Sequence, residues 1–184
     1  MKISVIGLGK LGLPFSFFLA SKKNNVLGYD LNKKIEKNIK ENTKNIEPDL
    51  NRYISKNNKN FKYENNFSNL IKKTNLTFIV LPTPSQKDGS FSNQYIINCL
   101  KEISKDLLKK KNKKHIIVIT STVSPGSCEE IFIPFMKKKG LKNHKDFLLV
   151  YNPHFIAQGT TIYNLEKPDL ILLGCDSDIS YKII

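Results

Sequence analysis

Three glycines close to the start of the chain, Gly7, Gly9 and Gly12, follow one another in G-x-G-x-x-G spacing. They come directly after the apolar run Ile3–Ile6, so the spacing predicts a turn between a strand and a helix. In such a turn the first glycine permits a tight bend, the second lets the backbone approach a pyrophosphate, and the third lets the helix pack closely. The phosphates would face free N–H groups at the start of the helix. The residues expected to contact a dinucleotide here are Gly7, Leu8, Gly9, Lys10, Leu11 and Gly12.

An acidic residue, Asp30, ends the next apolar run, Val26–Tyr29, eighteen residues after Gly12. Dinucleotide-binding turns place the carboxylate that binds the adenosine ribose about 20 residues further on. Capping of the following helix is also compatible with Asp30. A carboxylate there accepts hydrogen bonds from ribose hydroxyls and repels a 2′-phosphate, so the sequence favours NAD over NADP. Lys33 and Lys34 are typical of an exposed helix, but either could reach the ribose, and we expect Lys34 to do so.

Apolar runs bounded by turn residues alternate with helix-like stretches along the chain. Several runs are continuous, as in strands that are buried on both faces of a parallel sheet. The expected strands are Ile3–Ile6, Val26–Tyr29, Phe61–Tyr63, Leu76–Leu81, Ile116–Thr120, Phe147–Tyr151 and Leu170–Leu173. The expected helices are Leu13–Lys22, Lys33–Asn42, Phe67–Lys72, Asn93–Lys110 and Ser127–Lys138, with 55–60 as a surface loop. This order predicts an α/β fold of the Rossmann type, a doubly wound parallel sheet in three αβα layers formed by residues 1–184 as one domain.

The composition is that of a folded domain, with 184 residues of which 40% are hydrophobic and 25% charged. The net charge of +14 is nearly all lysine, because Arg52 is the single arginine. Nucleic-acid readers usually place arginine beside aromatic side chains, so we interpret the lysines as solvated surface and expect no nucleic-acid partner. Cys99, Cys128 and Cys175 form no C-x-x-C pair, which indicates no metal site and fits a reducing, cytoplasmic setting. No apolar run approaches the ~18 residues of a membrane span, so no membrane partner is expected.

Polar loops follow the fourth, fifth and sixth expected strands, at the edge where an open α/β sheet binds ligands. They read LPTPSQKDGSFSNQYI (81–96), TSTVSPGSCEEI (120–131) and YNPHFIAQGTTIYNLEKPDLILLG (151–174). Helix capping explains Asn93, Ser124 and Ser127. It does not explain Thr83 and Thr122, which stand at strand ends beside the expected cofactor.

Taken in order, these segments resemble the N-terminal NAD-binding domain of the UDP-glucose/GDP-mannose dehydrogenase family, the nucleotide-sugar dehydrogenases. The matching segments are GLGKLGLP, GYD, NIEPDL (45–50), LPTPSQKDGSFSN, STVSPGS and NPHFIAQG…PDLILLG, in one order over nearly the whole chain. The resemblance implies a UDP-glucose 6-dehydrogenase-like enzyme that oxidises the primary alcohol of a UDP-sugar to a carboxylate and reduces two NAD per turnover. It implies cofactor contacts from Gly7, Gly9, Gly12, Asp30, Lys34, Pro82, Thr83, Thr122 and Gln158, and substrate contacts from Asn152, Phe155 and Ile156.

The chain departs from the family pattern at two acidic positions of the last loop, which commonly reads N-P-E-F-L-x-E-G. Here these positions are His154 and Gln158. Gln158 would keep a hydrogen bond without the charge. His154 is either a residue that exchanges protons near neutral pH or a spectator, and both residues are candidate catalytic groups.

The catalytic cysteine of the family, in a GG-x-C context, lies beyond this domain, and no cysteine of the chain has that context. We therefore expect NAD binding without turnover from these residues alone. The family's homodimer uses a central helix beyond this domain, so a monomer is compatible with this fragment. Two alternatives stay open: the N-terminal domain of another β-hydroxyacid dehydrogenase, which would lack the PTP…DGS loop, and a non-catalytic NAD-binding module.

Overall fold

Six parallel strands form one sheet in the spatial order β3-β2-β1-β4-β5-β6. They are β1 (Lys2–Ile6), β2 (Asn25–Tyr29), β3 (Phe61–Tyr63), β4 (Leu76–Ile79), β5 (His115–Ile119) and β6 (Phe147–Tyr151). The computed structural model describes residues 1–41, 47–110, 114–157, 159–176 and 178–183. β1 lies between β2 and β4, so the direction of strand addition reverses there. This is the strand order of a Rossmann sheet, whose ligand crevice opens at the carboxyl ends of strands at that reversal.

Helices cover both faces of the sheet. They are α1 (Gly12–Ser21), α2 (Lys34–Lys40), α3 (Leu50–Asn57), α4 (Phe67–Lys73), α5 (Gln94–Lys109), α6 (Ile133–Lys138), α7 (Thr161–Glu166) and α8 (Asp178–Ile183). Alternate residues of β5 enter two different cores: Val118 packs with Phe17 of α1, and Ile117 packs with Leu100 of α5. Because side chains alternate across a strand, the two cores lie on opposite faces. The predicted three-layer α/β fold of the Rossmann type is confirmed.

The predicted seventh strand, Leu170–Leu173, is wrong. In this segment Leu170 and Ile171 are 56% and 67% exposed, so the apolar run is not a buried strand. Ladder pairing is confined to Gly174, which forms an isolated antiparallel bridge with Tyr151 of β6. An apolar run forms a strand only when a neighbouring strand pairs with it. Here the run passes beyond the end of β6.

Three further differences concern helices. The prediction of a surface loop at 55–60 is wrong, because α3 runs to Asn57 and a 3-10 turn follows over Asn58–Asn60. α3 forms because Leu50 and Ile54, one helical turn apart, are both buried. The stretch Ser127–Lys138 begins as a π-helix over Ser127–Phe132 before α6 starts. Finally, α2 ends at Lys40, and the predicted helix end Asn42 lies outside the described residues.

A buried polar network crosses the sheet toward the amino ends of its central strands. The Thr77 hydroxyl lies 2.7 Å from the Ser4 hydroxyl and 2.7 Å from His115 Nε2. His115 is fully buried. Burial is the largest cause that lowers the pKa of His115 from 6.5 to about 3, and the nearby Lys110 ammonium adds to it. The imidazole is therefore neutral near neutral pH and acts as a structural hydrogen-bonding group.

Candidate functional site

The turn between β1 and α1 closes around two glycines at which any added side chain would force the backbone to shift. Gly7 has a φ of 93°, and a Cβ there would lie 2.1 Å from the Val80 carbonyl oxygen. A Cβ on Gly12 would lie 1.8 Å from the Gly7 carbonyl oxygen. Gly9 differs from both, because a Cβ there would meet no atom within 4 Å. Close backbone packing at Gly7 and Gly12 thus holds the turn against the sheet. Gly9 leaves the backbone open to an approaching group.

Among the described residues, the amino end of α1 carries no side-chain cap. Its N-cap residue, Leu11, makes no side-chain capping bond, and the first turn carries no acidic residue. The first N–H groups of a helix have no partner within the helix, and its dipole leaves partial positive charge there. Together with the open backbone at Gly9, this end is suited to a phosphate group.

Asp30 lies directly beside this turn. Its Oδ2 accepts a hydrogen bond from the Leu8 N–H at 2.7 Å, and its Oδ1 accepts one from the Asn32 N–H at 2.7 Å. A carboxylate oxygen can accept more than one hydrogen bond, so both oxygens keep capacity for ribose hydroxyls. Lys34, the first residue of α2, follows Asp30 closely in sequence and is exposed. The structure thus brings the predicted phosphate and ribose groups together.

The loops that follow β4 and β5 are held to each other by hydroxyl groups. Ser121 Oγ accepts from the Leu81 N–H at 2.8 Å and donates to the Leu81 carbonyl at 2.7 Å. The Phe91 N–H donates to Ser124 Oγ at 3.2 Å, and Asn93 Nδ2 donates to Ser127 Oγ at 3.1 Å. The role of Ser121 was not predicted, although its place in the sequence directly after an apolar run could have indicated it. These bonds fix two strand-end loops as one wall of the crevice.

Thr83 and Thr122 occupy the same two loops but differ from Ser121. Within the described residues, neither threonine hydroxyl makes a hydrogen bond. Thr122 is exposed and Thr83 is half-buried, beside the exposed Pro82. Both hydroxyls are therefore available to a ligand at the carboxyl ends of β4 and β5.

The loop after β6 is fixed through Asn152, which is 8% exposed. Its backbone N–H donates to the Ile119 carbonyl at 2.9 Å, and its Nδ2 donates to the Leu172 carbonyl at 2.9 Å. Its Oδ1 lies 3.3 Å from His154 Nε2. Asn152 therefore orients the imidazole of His154.

His154 itself is half-buried. Its ring packs edge-on against Phe15 of α1, with centroids 4.6 Å apart. Burial lowers the pKa of His154 from 6.5 to about 4, so its side chain is neutral near neutral pH. Within the described part of the chain, its buried Nδ1 has no hydrogen-bond partner. Its catalytic role stays a prediction, and Gln158 lies outside the described residues.

A cavity of about 210 Å³ opens beside this loop. Its lining is mainly apolar and includes Phe15, Phe78, His154, Phe155 and Ile156. A larger cavity, of about 720 Å³, lies near Lys142 and His144, and its lining contains none of the predicted site residues. We place the candidate site at the glycine turn and at the smaller cavity, because four predicted site residues, Asn152, His154, Phe155 and Ile156, line that cavity.

The cysteines of the described chain show no sign of a catalytic role at this site. Burial raises the pKa of the Cys99 thiol well above its usual range and raises that of Cys128 to about 11, so both thiols are protonated near neutral pH. Cys175 follows the bridge residue Gly174 and lies outside the strands of the sheet. The described residues also hold no group of three or more His, Cys, Asp or Glu side chains that could bind a metal ion.

The chain matches the UDP-glucose/GDP-mannose dehydrogenase family, NAD binding domain, over residues 1–184. It belongs to this family. GDP-mannose 6-dehydrogenase of Pseudomonas syringae pv. tomato is 32% identical over 178 residues, which are 95% of this chain and 40% of that protein. UDP-glucose 6-dehydrogenase of Rickettsia typhi is 30% identical over 187 residues, covering 100% of this chain and 41% of that protein.

A solved structure supports the same assignment. The ternary complex of GDP-mannose dehydrogenase from Pseudomonas aeruginosa superposes with a TM-score of 0.92 at 26% identity, covering 100% of this chain and 43% of that one. The family match identifies NAD as the cofactor of this nucleotide-sugar dehydrogenase domain, and the open turn at Gly9 beside Asp30 fits it. Among the described helices, none combines the length and apolarity needed to cross a bilayer.

Proposed function

We propose that residues 1–184 act as the NAD-binding domain of a nucleotide-sugar 6-dehydrogenase, which oxidises the primary alcohol of a nucleotide-linked sugar to a carboxylate. A UDP-sugar is the first candidate substrate, and a homodimer in the cytoplasm is the expected form of the whole enzyme. The chain spans about two fifths of the length of its curated relatives, 40% of the Pseudomonas syringae protein, so turnover is proposed for the whole protein. The observation that carries the proposal is the uncapped amino end of α1, which faces the open backbone at Gly9 beside Asp30.

The turn residues bind the cofactor through their backbone. The N–H groups from Gly9 to Gly12 hold the pyrophosphate, and Asp30 accepts hydrogen bonds from the adenosine ribose. The carboxylate charge of Asp30 also excludes a ribose 2′-phosphate. Lys34, Pro82 and the free hydroxyls of Thr83 and Thr122 complete the cofactor contacts. When bound, NAD accepts a hydride from the alcohol carbon of the sugar.

The loop after β6 lies between cofactor and sugar in this proposal. Asn152, Phe155 and Ile156 contact the sugar, and Gln158 contacts the cofactor. His154 stays neutral because it is buried, so it contributes a hydrogen bond and shape rather than a charge. The cysteine nucleophile belongs to another part of the whole protein, which agrees with the protonated state of Cys99 and Cys128.

Calorimetric titration of the chain with NAD and NADP tests the proposal. We expect NAD to bind at least about tenfold more tightly than NADP, a difference of about 1.4 kcal/mol. Asp30→Asn removes the charge that repels the 2′-phosphate, so the two affinities should approach each other. Asp49→Asn, at an exposed carboxylate paired with Arg52, is the matched control and should leave the preference unchanged. Absence of NAD binding, or a preference for NADP, would contradict the proposal.

A stand-alone NAD-binding module is the second candidate function, and one observation favours it. His154 is neutral where the family commonly has a glutamate, which removes a charged group from the reacting region. Oxidation of a UDP-sugar by the whole protein would exclude this candidate, whereas NAD binding with no oxidation of UDP- or GDP-sugars would support it.

A further inference from the structure

Glu47 makes the hydrogen bonds that hold the start of α7, although it is more than a hundred residues away in sequence. Its Oε2 accepts from the Gly159 N–H at 3.2 Å and from Thr161 Oγ1 at 2.8 Å. Its Oε1 accepts from the Ile162 N–H at 3.2 Å. Both oxygens of one carboxylate thus bind the segment that leads from the β6 loop into α7. Hydrogen bonds to a charged group are among the strong ones in proteins.

A local residue could have capped α7, but it does not. Thr160 stands at the N-cap position, where threonine usually accepts a hydrogen bond from the helix. Here it makes no such bond, and its hydroxyl donates backward to the Ala157 carbonyl at 3.2 Å. A local cap would fix α7 alone, whereas Glu47 fixes α7 to the segment that begins α3.

A second bond joins the same two helices. The Tyr53 hydroxyl of α3 donates to the Glu166 carboxylate at the end of α7. Burial and this carboxylate raise the pKa of Tyr53 to about 12, so the phenol remains protonated and keeps donating. Both α3 and α7 also pack against α1. The position of α7 is therefore set at its beginning by Glu47 and at its end by Tyr53.

We propose that Glu47 is a positioning residue that sets where the segment 152–157 lies over the cofactor. This segment carries Asn152, His154, Phe155 and Ile156 between two anchors. Asn152 fixes its beginning to β5 and to the Leu172 carbonyl, and Glu47 fixes the chain that follows it. The inference rests on the proposed function for its consequence in catalysis, but its structural claim is independent of NAD.

The test uses Glu47→Gln, which keeps the shape but removes the charge and replaces one accepting oxygen by an NH₂ group. Hydrogen exchange and histidine NMR are recorded on the free protein, and ADP-ribose binding is measured by calorimetry. We expect exchange protection of the Gly159 and Ile162 amides to fall at least about tenfold, the loss expected for one hydrogen bond to a charged group. The His154 imidazole signals should shift, whereas those of His115, on the far side of the sheet, should not. ADP-ribose should bind within about twofold of the unmodified chain, because its contacts lie at the glycine turn and Asp30.

Glu102→Gln is the matched control, since it removes an exposed carboxylate paired with Lys105 on α5. It should leave both the exchange pattern and the His154 signals unchanged. Unaltered His154 signals and unaltered protection in Glu47→Gln would overturn the inference. A uniform loss of protection across the sheet would also overturn it, because Glu47 would then contribute only to global stability. If the unmodified chain fails to bind both ADP-ribose and NAD, the proposed function fails, and the exchange and NMR results still decide the role of Glu47.

Discussion

The glycine turn gives a pair of variants whose effects on folding and on binding should separate. In Gly12→Ala the added Cβ would lie 1.8 Å from the Gly7 carbonyl oxygen, a backbone atom that cannot rotate away. The turn or α1 must therefore shift, at a cost of at least about 3 kcal/mol, the upper part of the range for overpacked sites. In a domain of this size that cost lowers the melting temperature by about 6–12 °C.

Gly9→Ala places the same methyl group where no protein atom lies within 4 Å. Its free energy of unfolding should change by no more than about 0.5 kcal/mol, as for surface substitutions. In the proposed site, the methyl group occupies the space through which the NAD pyrophosphate would reach the backbone N–H groups. The dissociation constant for NAD should therefore rise at least about tenfold, or about 1.4 kcal/mol.

Thermal unfolding followed by circular dichroism, with and without NAD, measures both effects in one experiment, because a ligand that binds the folded chain raises its melting temperature. Gly9→Ala should unfold at the temperature of the unmodified chain without NAD and should lose the stabilisation that NAD provides. Gly12→Ala should unfold at a lower temperature than the unmodified chain, both with and without NAD. Equal destabilisation by the two substitutions, or full NAD stabilisation of Gly9→Ala, would refute the assignment of these glycines.

Three further predictions concern buried and free polar groups. His115 has its pKa lowered from 6.5 to about 3, so between these values the unfolded chain binds a proton that the folded chain does not. Stability is therefore lost as the pH falls from 6.5 toward 3, by about 2 kcal/mol at about pH 5, and urea unfolding should show a shallower pH dependence in His115→Asn. Ser121→Ala leaves the Leu81 N–H without its partner and should cost about 1–3 kcal/mol in the same urea assay. Thr122→Val should change stability by less than about 0.5 kcal/mol but weaken NAD binding several-fold in calorimetry, because its hydroxyl is free in the described structure.

Much of the sheet was predictable because a parallel strand buried on both faces leaves a continuous apolar run. The runs at β5 and β6 have this form, and both cores draw on alternate residues of them. The run Leu170–Leu173 has the same composition but is mostly exposed, so composition alone could not separate it from a strand. Whether such a run becomes a strand depends on a pairing strand that is far away in sequence. The periodicity of the run carries no information about that partner.

The missed helices have a different cause. α3 lies in a stretch rich in lysine and asparagine, and it is stabilised by just two fully buried apolar side chains, Leu50 and Ile54. α7 is six residues long, below the length at which a periodic pattern becomes visible. Its amino end is held by Glu47, a residue that no local rule connects to it. Short helices fixed by distant polar contacts therefore escape prediction from sequence windows.

The same distinction separates the two halves of the candidate site. In the cofactor half, Gly7, Gly12 and Asp30 could be singled out from sequence, because the positive φ of Gly7, the close approach of Gly12 to Gly7 and the hydrogen bond from Leu8 to Asp30 all arise within one β-α-β unit; their contacts to NAD stay a prediction. The half that would face the sugar depends on contacts between distant segments, such as Asn152 to Leu172 and Glu47 to Ile162. Substitutions at Gly7 and Gly12 should therefore affect folding and NAD binding together, whereas those at Gly9, where the backbone is open, and at Thr122, whose hydroxyl is free in the described structure, should affect binding alone. Substitutions at Glu47 should leave the fold and the cofactor half intact and displace the loop that carries His154.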